Sequence, residues 1–283
     1  MTSTLRPEGP ETPTPAGGRT RRWQICANGR QVGALRTTAV PHGSQLFGEI
    51  AELEISEGRG RGRGTFGALA AEEVLRGWGC SRVDVNVPET AQVARSLALA
   101  LGYTERMRNL AKQLTAPPEL PVGVTTRPIG AEEFPAWLAR AAEDYVRSLR
   151  ESGLTEEQSR AKSGVDHQRL LPQGAASPGV ALRRLYGEGD DAGTEPLGSL
   201  WVDLHQRDLP DGRPLAWVMV VEVSPVHRGR GHGRTLMLVA ERECLAAGVR
   251  TLGLNVFTVN EVAIGLYASL GYQVTNRLYG KQL

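Results

Sequence analysis

Arg228-Gly229-Arg230-Gly231-His232-Gly233 stands between an apolar run, Ala216 to Val223, and a helical pattern that reaches Ala247. An apolar strand that breaks into glycines and reopens as a helix leaves several backbone N–H groups unpaired and pointing one way, which makes an anion site. A phosphate fits such a turn. The same six residues also read as a piece of a disordered, Arg/Gly-rich tail of the kind that binds nucleic acid, so composition alone leaves both readings open. The stretch occurs twice, and that decides between them.

Sliding the chain along itself by 169 residues sets Arg59 on Arg228 and keeps register without a gap to Leu114 on Leu283. Of the 56 pairs 21 are identical, among them Asn86-Val87 on Asn255-Val256, Leu101-Gly102-Tyr103 on Leu270-Gly271-Tyr272 and Lys112-Gln113-Leu114 on Lys281-Gln282-Leu283. Upstream, a one-residue shift sets Glu54-Ile55-Ser56 on Glu222-Val223-Ser224. The chain is therefore a tandem duplication, and two copies are too few to stack as a solenoid. A disordered tail has no reason to be followed twice, at one spacing, by a helix, a strand, a second helix and a Gly-Tyr.

The repeat gives an α/β fold class with a mixed sheet of the α+β kind in two tandem domains. Residues 1–21, rich in proline, threonine and charge, read as a disordered lead; 22–116 form a first domain, 117–121 a proline-rich linker, and 122–283 a second domain. Asn28-Gly29 between Trp23–Cys26 and Gln31–Arg36 predicts a hairpin. A strand over 48–55, a helix over 65–78, a strand over 82–87, a helix over 90–101 and a strand over 104–114 follow. The second copy adds a strand at 124–127 and helical patterns over 131–151 and 155–171 before its own hairpin, so the first copy is truncated at its N-terminus.

The chain has 283 residues, 40% hydrophobic and 23% charged, and its 33 cationic side chains are balanced by 31 acidic ones. A net charge of +2 gives no general affinity for nucleic acid. Cys26, Cys80 and Cys244 are scattered and odd in number, which predicts reduced thiols and no metal site. No apolar run approaches the ~20 residues of a membrane span, and the N-terminus lacks a secretory apolar core. The expectation is a cytoplasmic protein without nucleic-acid or membrane partners.

Arg-x-x-Gly-x-Gly after an apolar strand, followed by Asn260-x-x-Ala263-x-x-x-Tyr267-x-x-x-Gly271-Tyr272, resembles the GNAT superfamily of acyl-CoA-dependent N-acetyltransferases. The second copy matches over its whole length and the first from its hairpin onward. Two such domains in tandem are also similar, in architecture alone, to the mycothiol synthase family. The resemblance implies acetyl-CoA (coenzyme A) as cofactor, with its pyrophosphate on Arg228, Gly229, Arg230, Gly231, His232, Gly233 and Arg234. It implies Val221 and Val223 beside the pantetheine arm, the Val223 N–H on the thioester oxygen, and Tyr267 as the acid that protonates the departing thiolate. A helix-core aromatic is the plain alternative for Tyr267. Asn260 caps its helix and touches the cofactor in the same picture. Arg59, Gly60, Gly62 and Gly64 would form a second cradle in the first domain.

Strand alternation makes Glu222 the candidate base, opposite in facing to Val221 and Val223, against an equal reading as an exposed edge residue. His205 and Asp203 are alternatives. His227 and His232 read as phosphate neighbours or solvated groups, and Glu143, Asp144 and Tyr145 as acceptor lining or a solvated helix face. Ala98 aligns with Tyr267 and Ala91 with Asn260, so the first domain reads as a degenerate partner. The predicted reaction is acetyl transfer by direct attack in a ternary complex onto a primary amine of a small molecule or peptide, by a monomer with an internal pseudo-dimer or by a homodimer. A non-catalytic acyl-CoA-binding module is the alternative.

Overall fold

The computed structural model describes residues 2–15, 17–42, 45–58, 60–151, 154–190, 194–208 and 213–283, without the side chains of 205–208. In chain order the elements are β1 (Ser3–Pro13), β2 (Arg19–Ala27), β3 (Arg30–His42), β4 (Gln45–Ile55), α1 (Arg63–Gly77), β5 (Cys80–Pro88), α2 (Gln92–Ala100), β6 (Thr104–Gln113), β7 (Val124–Pro128), α3 (Phe134–Glu151), α4 (Glu156–Leu170), β8 (Val180–Gly187), β9 (Gly198–Asp208), β10 (Pro214–Val223), α5 (His232–Ala246), β11 (Thr251–Phe257), α6 (Glu261–Ser269) and β12 (Gln273–Gln282).

The chain forms two compact units, one of Met1–Met107, Ser152–Lys162 and Asn276–Leu283, the other of Arg108–Glu151 and Ser163–Thr275. In the first, β1 to β5 are neighbours in sequence order and the end of β12 follows β5. Asn28 (φ 49°) and Gly29 (φ 81°) make the turn between β2 and β3, two left-handed residues as a primed hairpin turn requires. Its core gathers Ile25, Leu35, Ile50, Leu75 and Val83 with Tyr279.

The expected disordered lead is instead strand β1, paired antiparallel with β2 from Ser3–Ala27 to Pro13–Arg19. An edge strand tolerates Pro7 and Pro13, because a missing N–H is harmless on the side without a neighbour, and Pro10 falls in the irregular stretch of the ladder between Glu8 and Thr12. Glu8 pairs with Arg22, and Glu11 with Arg19 and Arg21, so the charge that suggested disorder is compensated along the edge.

In the second unit the strand order is β6-β11-β10-β9-β8-β7. One face carries α5 over a core that includes Leu110, Leu200, Val218, Leu236, Met237, Leu252 and Leu254. The other packs Trp137 and Ala141 of α3 on Leu182 and Trp201.

Each unit is completed by the tail of the other repeat. The Leu114 N–H donates to Arg250 O at 2.7 Å in the second unit, and the Leu283 N–H donates to Ser81 O at 3.0 Å in the first. Lys112 meets both oxygens of buried Glu241 at 2.7 and 2.8 Å and lies over the Tyr272 ring. Lys281 meets buried Glu72 at 2.7 Å and lies over Tyr103. These are equivalent positions of the duplication, so two of the three lysines in the sequence lock reciprocal strands.

Candidate active site

The glycine turn of the second unit closes as its residues require. β10 ends at Val223, Pro225–His227 form a single 3-10 turn, and Gly229 and Gly231 take φ of 77° and 85°. L side chains rarely enter that region. α5 begins at His232 with Gly231 as its N-cap and no capping side chain. The Thr235 N–H donates to Gly231 O at 3.1 Å as the first bond of the helix. The N–H groups before it open at the positive end of the helix dipole.

Around this turn Arg228 folds back, its Nε donating to Val223 O at 3.3 Å, and Arg234 Nη2 donates to Ser269 Oγ at 2.5 Å. Arg230 is exposed. The rings of His227 and His232 meet edge to face at 6.2 Å. Burial, with His227 and Arg230 beside it, lowers the pKa of His232, so that ring is neutral at neutral pH.

Gly233 marks where three elements meet. A Cβ there would stand 3.3 Å from Leu266 Cδ2 on α6 and 3.8 Å from Val223 Cγ2 at the end of β10. β10 and β11 pair in parallel at Ala216–Leu252 and Trp217–Gly253 and then part, although they run on to Val223 and Phe257. The edge of β10 beyond Trp217 thus faces a wedge that an extended chain of amides could enter.

Tyr267, half-buried on α6, packs against the core with its ring 6.1 Å from that of Tyr272. Burial raises its pKa, which keeps the phenol protonated and able to donate. Asn260 Oδ1 accepts from the Ala263 N–H at 3.1 Å, the N-cap expected of it.

Glu222 is half-buried on the face of β10 opposite Val221 and Val223, which pack toward α5. Its Oε2 accepts from Ser199 Oγ at 3.3 Å, and Ser199 Oγ accepts from Trp137 Nε1 of α3 at 3.0 Å. Ser199 and Trp137 are absent from any reading of the sequence as site residues. Trp137 shows there only as one apolar position of a helix, and a serine within a strand carries no local signal.

The remaining candidates separate. Asp203 lies opposite Trp217 on the ladder, whereas Glu222 lies opposite Ser199. His205 belongs to β9, and its side chain is outside the described residues, as is Arg59. Tyr145 donates to Asp166 Oδ2 at 2.9 Å, a tie between α3 and α4, and Asp144 pairs with Arg147 on an exposed face. Glu143 lies on α3 beside them. All three cysteines are buried and free. Burial, with Glu241 and Glu243 nearby, pushes the Cys244 thiol up to about 12, which suits packing and not attack. Among the described residues no cluster suits a metal ion, and no helix is long and apolar enough to cross a membrane.

The first unit repeats the backbone. Gly60 and Gly62 have φ of 75° and 72°, and α1 opens at Arg63 with Gly62 as N-cap. A Cβ on Gly64 would stand 3.5 Å from Leu97 Cδ2 and 3.9 Å from Ile55 Cγ1, the counterparts of Leu266 and Val223. The β4–β5 ladder ends at Glu49–Asp84, the counterpart of Trp217–Gly253. Ala98 is buried at the place of Tyr267, and Ala91 caps α2 without a side-chain bond. The Arg63 guanidinium lies over Gly58 and donates to Glu57 O at 2.6 Å.

Residues 167–272 match the Acetyltransferase (GNAT) family. A protein named mycothiol acetyltransferase from Streptomyces scabiei is 32% identical over 76% of this chain and 64% of its own length. One of the same name from Frankia alni is 30% identical over 83% of this chain and 70% of its own. The chain thus spans about two thirds of the length of these relatives. The fold is also that of a tandem GNAT protein from the clavulanic acid biosynthesis pathway, with a TM-score of 0.52 at 20% identity over 96% of this chain and 84% of that one. By its turn, its wedge and these relatives, the chain belongs to the GNAT family of acetyltransferases.

Proposed function

We propose that the second unit transfers the acetyl group of acetyl-CoA to a primary amine of a small molecule or peptide, by direct attack in a ternary complex. The meeting of the α5 N-terminus, the end of β10 and α6, the helix that bears Tyr267, at Gly233 is the observation that supports this reading. The open N–H groups from Gly229 to Arg234 hold the pyrophosphate, with the arginines adding charge. The edge at Val221 to Val223 aligns the pantetheine amides, and the Val223 N–H receives the oxyanion. Glu222 takes a proton from the amine as its nitrogen bonds to the carbonyl carbon. When the C–S bond breaks, Tyr267 gives its proton to the departing thiolate.

The relatives' name makes thiol-precursor amines the first acceptors to try, beside amino acids, polyamines, aminoglycosides and peptides with free N-termini. Release of free thiol from acetyl-CoA across that panel tests the reading. Thiol release with at least one amine is expected. Binding of acetyl-CoA with no release for any amine would favour a non-catalytic acyl-CoA-binding protein. We further infer that the first unit is a degenerate partner within the same chain, without a proton donor.

A further inference from the structure

The sheet register sets Ser199 directly opposite Glu222, and its hydroxyl donates to Glu222 Oε2. A serine hydroxyl has a single proton but can also accept, whereas an indole N–H only donates. Trp137 Nε1 takes the accepting side of Ser199 Oγ at 3.0 Å, which leaves the hydroxyl proton for the carboxylate at 3.3 Å. The direction of the chain from Trp137 through Ser199 to Glu222 is therefore fixed. Trp137 is 2% and Ser199 5% exposed, so water does not compete for either group. Glu222 Oε1 has no hydrogen bond among the described residues, which leaves one carboxylate oxygen able to take a proton.

The first repeat supplies the control. Its β3–β4 ladder sets Ala34 opposite Glu54, where β9–β10 sets Ser199 opposite Glu222. The neighbouring glycines confirm the equivalence: a Cβ on Gly33 would stand 2.3 Å from Glu54 O, and one on Gly198 2.3 Å from Glu222 O. The carboxylate is present in both repeats. The hydroxyl beneath it is missing in the repeat that also lacks the phenol, and the helix that bears Trp137 has no counterpart there. A bond that served only to pair the strands would be equally useful in both.

We propose that Ser199, oriented by Trp137, is a positioning residue for acetyl transfer. It holds the Glu222 carboxylate in one orientation and couples that orientation to α3. The proposal rests on the reading of Glu222 as the base, and a double-mutant cycle on the full chain separates the two. The readout is thiol release from acetyl-CoA over the amine panel above. Ser199→Ala should lower kcat about ten-fold, the size expected for one hydrogen bond to a charged group, and leave KM for acetyl-CoA within about two-fold. Ser199→Thr, which keeps a hydroxyl on a residue suited to strands, should recover most of the loss. In a Glu222→Gln background, Ser199→Ala should change kcat by less than about two-fold. Unchanged turnover in Glu222→Gln alone would remove the base and the positioning role together. A full loss from Ser199→Ala in that background, or no recovery with threonine, would leave the base standing and overturn the role of Ser199.

Discussion

The two units present the same glycine turn, the same left-handed N-cap and the same wedge beyond the same rung of the sheet, yet they differ in what stands over them. The second has Tyr267, Asn260 and Ser199 where the first has Ala98, Ala91 and Ala34. At the last rung before the wedge the second sets Trp217 against Gly253, and the first sets Glu49 against Asp84. Backbone features survive duplication because they decide how a helix joins a sheet, whatever binds there. Side chains that do chemistry have no such second use. A glycine turn is thus good grounds for a fold and weaker grounds for a site, and the phenol and hydroxyl separate the units.

Removing the phenol should have the largest effect. Tyr267→Phe keeps the packing against Tyr272 and removes the proton, so kcat should fall about 100-fold or more, with acetyl-CoA affinity by titration within about three-fold. Because burial raises the pKa of Tyr267, the phenol stays protonated up to and beyond the ordinary value of about 10. Any loss of turnover assigned to its ionisation must therefore lie above about pH 10. Equal turnover in the phenylalanine variant would erase the main distinction between the units.

The next effect tests their equivalence as folded bodies. Glu241 and Glu72 are 2% and 3% exposed, and each is neutralised by a lysine from the other repeat's tail. Removing one partner of a largely buried pair leaves a charge poorly solvated. Glu241→Gln and Glu72→Gln should each cost about 2–3 kcal/mol in urea unfolding, less than a fully buried pair because both lysines reach water. Only Glu241→Gln should also lower turnover. A large cost for one and none for the other would show that the reciprocal locks are not equivalent.

Much of this was legible in the sequence, and the limits have physical causes. The duplication itself was legible because identities at a constant offset do not depend on tertiary structure. The Asn28-Gly29 hairpin and the Asn260 cap were legible because each is a local bond between near neighbours. β1 was missed because what places it is a backbone ladder with β2, while its own residues carry no apolar alternation. The exchange of tails was invisible because Lys112 fits Glu241 as well as Glu72 by any pattern within one copy. Ser199 and Trp137 were missed for a related reason. Their roles exist only across strands and helices 62 and 23 residues apart in sequence.

A smaller effect sharpens the comparison of cradles. Gly231 and Gly62 are both left-handed, and a Cβ on either would meet nothing within 4 Å. Alanine at each position therefore costs backbone strain alone, about 1 kcal/mol, visible as matching shifts in unfolding midpoint. Gly231→Ala should in addition raise KM for acetyl-CoA, because the N-cap turn aims the N–H groups. A similar rise with Gly62→Ala would bring the first cradle into the reaction.

The smallest effect concerns the cap that separates Asn260 from Ala91. Asn260→Ala gives α6 the uncapped start that α2 already has and should cost about 1 kcal/mol. Tyr267 lies two turns further along that helix, so fraying should lower kcat a few-fold without abolishing it. Asn260→Ser keeps a capping oxygen and should restore both stability and turnover. The serine also distinguishes the two roles of the residue, because it reaches less far than asparagine. If stability returns while KM for acetyl-CoA stays high, Asn260 touches the cofactor as well as the helix. If both return, the cap alone accounts for it, and the uncapped α2 of the first unit reflects the absence of any phenol to hold in place.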